Sequence, residues 1–210
     1  MEQIAKIGGH PCILSYGNTP TTDIPLVLVV GREPNEDIPA TRDCGEYKFR
    51  SAPYCGLWNV AFGLLGSQGT PPRSTAEMKG QAEAAKACPL IFADALPLTL
   101  KHAAKNKAAL RAAISDDAIE AHVDAVFSHD HLIGRVRVVI LSGLDGSFRR
   151  SVMRYQERCA KRGIPLYQLP FFYPTNARKI RDATSPDLRH HLSEVLTSFD
   201  NFRSIEAEAA

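Results

Sequence analysis

LVLVVG, residues 26–31, is a run with no polar side chain, three of its six residues being valine. An apolar run that does not alternate reads as a strand covered on both faces, as in a parallel sheet. This first strand is placed at 24–30 and breaks into Gly31-Arg32-Glu33-Pro34-Asn35. Outward from it, PLIFADALPLT (89–99) holds a second strand at 90–96, with Asp94 its one acid. RVRVVILS (135–142) is a third, ending at Gly143. Ile164 to Phe172 is a fourth, running into Tyr173-Pro174-Thr175-Asn176 within PFFYPTNAR (170–178).

Helical signals fill the gaps. Residues 56–66 place Leu57, Val60, Ala61 and Leu64 on one stripe, and Thr75 to Ala87 reads as a helix. Ser115 is an N-cap followed by Asp116 and Asp117, ahead of an apolar face of Ile119, Val123, Val126 and Phe127. Ser147 to Arg162 is a helix stopped by Gly163, and Ser185-Pro186-Asp187 starts the last one. The final IEAEAA reads as frayed, and 36–55 as a long functional loop. Strands alternating with helices predict a three-layer α/β/α sandwich around a central, mainly parallel four-stranded sheet. One domain spans 1–210, with its core at about 24–200. Open α/β sheets keep their sites at the carboxyl ends of strands. The loops after Val30, Leu96 and Phe172, with Asp94 inside the second strand, therefore carry the functional expectation.

Composition narrows the classes. Of 210 residues, 44% are hydrophobic and 23% charged, the profile of a soluble globular chain. No apolar run approaches the ~20 residues of a membrane span. MEQIAKIGGHPC lacks the apolar core of a signal peptide, so the expected location is cytoplasmic, with no membrane partner. Five cysteines (Cys12, Cys44, Cys55, Cys88, Cys159) are scattered and read as free thiols rather than disulfides or metal ligands. No phosphate-binding glycine motif occurs, so no nucleotide cofactor is expected. There is no G-x-S-x-G elbow, and His129-Asp130-His131 lacks metal-ligand spacing. Net charge is only +2. Local basic groups stand out nonetheless: Arg149, Arg150, Arg154, Arg158, Lys161 and Arg162, then Arg178, Lys179 and Arg181. Either can track phosphates, and the first equally suits a solvated helix face.

The loops G-R-E-P-N (31–35), I-F-A-D-A-L-P-L-T (91–99) and Y-P-T-N-A-R (173–178), in this order and strand context, resemble the uracil-DNA glycosylase superfamily. Its members open with G-Q-D-P-Y or G-x-N-P, carry L-L-N-A-V-L-T with a base-reading Asn, and close with H-P-S-P-L. The resemblance spans roughly residues 24 to 180. It implies a monomer that binds DNA, flips a pyrimidine nucleotide and hydrolyses its N-glycosidic bond without a cofactor or metal.

Each matching position departs from the family. Glu33 stands where the family has Asp or Asn; its carboxylate would position water and stabilise the cationic sugar, with Glu36 as a fallback. Asp94 replaces the base-reading Asn. A carboxylate only accepts hydrogen bonds, so it suits the 4-amino group of cytosine and opposes O4 of uracil. Asn35 replaces the bulky Tyr that guards the ring's 5-position and leaves room for a substituent. Tyr173 replaces the leaving-base His and would donate its phenol proton to the base O2. Phe49, or else Tyr47 or Tyr54, would stack on the flipped base. Thr175, Asn176, Arg178 and Lys179 follow the last motif and would press on the DNA. These departures point to a 5-modified cytosine, such as the hydroxymethylated or glucosylated base of some phage DNA. Releasing ordinary cytosine would damage a host genome, whereas releasing a phage base suits antiviral defence. The competing expectations are repair of uracil or another deaminated base, and a non-catalytic DNA-binding module of the same fold.

Overall fold

The computed structural model describes residues 13, 15, 18–32, 55–97 and 107–208. β1 (Leu26–Gly31) is buried along its whole length. It pairs in parallel with β2 (Leu90–Asp94) on one edge, from Val27 opposite Leu90 to Gly31 opposite Asp94. On the other edge it pairs in parallel with β3 (Val136–Ser142), which in turn pairs with β4 (Leu166–Leu169). The sheet order is β2-β1-β3-β4, parallel throughout.

Prolines set the strand ends. Pairing starts at Leu26, whose N–H donates to Arg135 O at 2.9 Å, one residue after Pro25, which has no N–H to give. β4 is shorter than the expected 164–172 because Pro165 and Pro170 bracket it. Phe171 and Phe172 therefore lie beyond the sheet.

Among the described residues, β1 leads to β2 through α1 (Cys55–Gly66) and α2 (Thr75–Ala85). Ser74 and Glu77 close a capping box on α2, and Lys86 turns left-handed to end it just short of the expected Ala87. β2 leads to β3 through α3 (Lys107–Ala113), α4 (Asp116–Phe127) and α5 (Asp130–Ile133). α6 (Arg149–Arg162) joins β3 to β4, and α7 (Ala177–Ala183) and α8 (Pro186–Glu208) follow. β2 and β4 lie on opposite sides of the β1/β3 pair, so right-handed crossovers send their helices to opposite faces. α4 packs with α6 on one face, and α1 packs with α2 and α8 on the other. The three-layer α/β/α expectation holds.

Two expected features come out differently. Residues 205–208 are helical rather than frayed. Leu188, Leu192, Val195, Leu196 and Phe199 bury one stripe of α8, and the Ala/Glu-rich end propagates from that anchor. Its start is as expected, with Ser185 Oγ accepting from Leu188 N–H at 3.2 Å. The first basic group is largely an interhelical ion-pair ladder. Arg150 meets Asp116, Arg154 meets Glu120, Arg158 meets Glu120 and Asp124, and Arg162 meets Asp130. The acids of α4 lie beside the arginines of α6 because the two helices run side by side in the same direction. Among the described residues no helix is long and apolar enough to cross a membrane.

The ladder yields a prediction. Replacing Arg154 and Arg158 together with Ala should lower the melting temperature only modestly, since partly exposed pairs are individually weak although these share Glu120. Retention on heparin should stay unchanged. Thermal melts and salt elution measure both; a large loss of retention would return this face to phosphate binding.

Candidate functional site

The connections leaving β1 and β3 run in opposite directions, to β2 and to β4. The carboxyl ends of these neighbouring strands are therefore the topological switch point, the place where open α/β sheets bind ligands. Gly31-Arg32 ends one strand there and Ser142-Gly143 the other, with Asp94 beside Gly31 and Phe171 beside Gly143.

Asp94 is the last residue of β2 and is partly exposed. Its side chain leans over Gly31: a Cβ there would lie 3.0 Å from Asp94 Oδ1 and 3.8 Å from Leu57 Cδ2 of α1. Gly31 therefore matches the close approach of the carboxylate. The Asp94 main-chain carbonyl is held from the opposite helical layer. His122 Nε2–H of α4 donates to it at 2.7 Å and the Tyr155 hydroxyl of α6 at 3.1 Å. Both donors are buried. Burial pushes the Tyr155 phenol well up, helped by the Asp94 charge, and pushes His122 down. Both are thus neutral donors. With Nε2 donating, His122 Nδ1 is left as an acceptor with no hydrogen-bond partner among the described residues.

Arg32 binds the strand ends together. Its Nε–H donates to Gly143 O at 2.9 Å, and Nη2 lies 3.8 Å from Asp145. Its guanidinium sits 4.6 Å from the centre of the Phe171 ring. Asp145 also accepts from Ser147 N–H and Oγ, which hold its carboxyl below the ordinary value, with Arg32 adding to the effect. Gly143 takes φ +64°, and a Cβ there would come within 2.3 Å of Phe171 Cβ. Buried Ser142 accepts from Phe172 N–H at 2.9 Å, fastening the chain after β4 to the end of β3.

Tyr173 follows, 53% exposed, its ring stacked parallel to Phe171 with centroids 6.4 Å apart. Asn176 Nδ2 donates to Phe171 O at 2.9 Å, so this side chain builds the turn. Thr175, Arg178 and Lys179 are exposed, and among the described residues Arg178 has only a 3.8 Å contact to Asp182 on its own helix.

Of the residues the sequence nominates, Asp94 and the 173–179 segment stand at the carboxyl end of the sheet, linked through Gly31, Arg32 and Phe171. Glu33, Asn35, Glu36, Tyr47, Phe49 and Tyr54 lie outside the described residues. Arg32, Gly143, Ser142, His122 and Tyr155 are additions. His122 carried a legible signal, a polar residue on the Ile119/Val123/Val126 stripe of α4. Arg32 carried none, since its partners lie over a hundred residues away.

Two outcomes test this arrangement. Gly143→Ala should cost about 3 kcal/mol or more, because left-handed strain and a backbone clash combine. Gly163→Ala, at φ +65° with open space around it, should cost only about 1–2 kcal/mol; denaturant unfolding compares the two. For His122, the unfolded chain takes up the proton as pH falls below its ordinary 6.5, while the fold resists it. Stability should therefore drop from about pH 6.5 downward. His122→Asn should flatten that slope in unfolding free energies measured between pH 7 and 5.

Comparison of the chain with protein-family models, with curated proteins and with solved structures finds no match.

Proposed function

We propose that this chain is a DNA glycosylase that releases a pyrimidine, best a 5-modified cytosine. The observation that carries the reading is the placement of Asp94. A carboxylate sits at the carboxyl end of β2, over Gly31, where the G-R-E-P-N loop begins. There it would accept from the 4-amino group of a flipped cytosine and repel a 4-oxo group. His122 and Tyr155 fix the Asp94 backbone, so the carboxylate is presented from a rigid strand end rather than a loop tip.

In the proposed reaction, water adds through its oxygen to C1′ of the sugar. The N1–C1′ bond breaks, its electron pair leaves with the base, and the base takes up a proton. Glu33 would stabilise the cationic sugar, and the Tyr173 phenol would hydrogen-bond the departing base at O2. Asn35 would leave room at the 5-position, Phe49 would stack on the flipped base, and Arg178 and Lys179 would hold phosphates. Release of a base foreign to the host genome would suit antiviral defence.

The test is incubation with oligonucleotides carrying uracil, cytosine or 5-hydroxymethylcytosine, then alkaline cleavage at abasic sites. Cleavage at the modified cytosine is the expected result. Cleavage only at uracil would favour repair of deaminated bases, and none with intact DNA binding would favour a non-catalytic module. Glu33→Gln should keep binding and lose most base release, since its charge acts mainly on the transition state. Asp94→Asn should shift preference toward uracil by about tenfold to a hundredfold, the effect of one buried polar mismatch. An unchanged preference would remove Asp94 from base reading.

A further inference from the structure

Three large hydrophobic residues are exposed among those described, Met153, Tyr173 and Ile205, and Tyr173 is the aromatic one. An exposed ring gains little from folding, yet the backbone beneath this one is held firmly. Tyr173 N–H donates to Phe171 O at 2.8 Å, and Tyr173 O accepts from Asn176 N–H at 2.8 Å. The Asn176 amide clasps Phe171 O from the side. The ring lies within 9° of parallel to Phe171, which itself carries the Arg32 guanidinium. The platform is therefore preorganised, and a flat ligand would order little more on binding.

Its surroundings are cationic. α7 begins four residues later and presents Arg178, Lys179 and Arg181 to solvent against one acid, Asp182. The arginine ladder of α6 lacks this openness, because its guanidinium groups face the acids of α4 and Asp130. A fixed aromatic face beside exposed cations is the combination that binds single-stranded nucleic acid: bases stack on the ring and phosphates meet the charges.

We propose that the ring face of Tyr173 is a stacking platform for an unpaired base of single-stranded DNA, with α7 holding the adjoining phosphates. This rests on the DNA reading above and extends it, since it makes an unpaired strand the preferred substrate. A duplex covers both faces of its internal bases, so only an unpaired base can lie on the ring. The hydroxyl, at the ring's edge, is a separate resource and is not needed for stacking.

Fluorescence anisotropy with a labelled unmodified 16-nucleotide single strand, and with a hairpin duplex of the same sequence, tests it. The full chain, Tyr173→Phe, Tyr173→Ala and the Arg178→Ala/Lys179→Ala double variant are compared, with thermal melts checking that each folds. The parent should bind the single strand more tightly than the hairpin. Tyr173→Ala should weaken single-strand binding about tenfold and hairpin binding less than twofold. Tyr173→Phe should stay within twofold of the parent on both. The double variant should flatten the salt dependence on the single strand. Four results overturn the proposal: no single-strand preference in the parent, a Tyr173→Ala affinity within twofold, Tyr173→Phe as weak as Tyr173→Ala, or equal losses on both DNAs. Base release is scored separately. Abasic product with failed binding arms sinks the platform alone, and intact binding arms without abasic product sink the glycosylase reading alone.

Discussion

β1 has no exposed face and no free edge. Its amides are cut off from water, so their hydrogen bonds must come from β2 on one side and β3 on the other. That requirement fixes the register in which Gly31 meets Asp94 and Val30 meets Leu141. Everything at the carboxyl end of the sheet depends on this alignment. A strand slipped by one residue would turn its side chains to the other face and take Asp94 away from Gly31.

The segments beyond the strand ends then need tying together, and backbone pairing cannot do it, because the strands have ended. Side chains take over. Arg32 spans to Gly143 and Asp145, Ser142 to Phe172, and Asn176 to Phe171. Gly143 lets Phe171 come close enough for Arg32 to lie on its ring. At the end of β2, His122 and Tyr155 hold the Asp94 carbonyl from the α4/α6 layer. The Asp94 carboxylate is therefore mounted on hydrogen bonds from two neutral donors, while the charged Arg32 ties the other strand ends together.

Charge is divided between two tasks. The arginines of α6 meet acids one helix away and serve cohesion between α4 and α6. Those of α7 point outward next to the Tyr173 turn. Both helices are basic by composition, and what separates them is the neighbour: α6 has the acidic flank of α4 alongside, whereas α7 is a short segment at the rim.

The sequence by itself determined the architecture. Buried strands leave continuous apolar runs, caps leave Ser-Asp-Asp or Ser-Pro-Asp, and Gly163 marks a helix end, all of which are local signals. It also determined that Asp94 is unusual, since an acid in an apolar strand has to be explained by its surroundings. Only the tertiary structure decided the rest. The end of β4 at Leu169 depends on prolines that deny the ladder its donors, and the order of α8 past Ile205 depends on a buried stripe upstream. Whether an arginine is an ion-pair partner or an open cation depends on what lies across from it. Arg32 shows this most plainly: one residue in a loop acquires its place from a carbonyl, a carboxylate and a ring contributed by two other strand ends. Pairing at that sequence distance is created by the parallel crossovers, and no local pattern of residues encodes it.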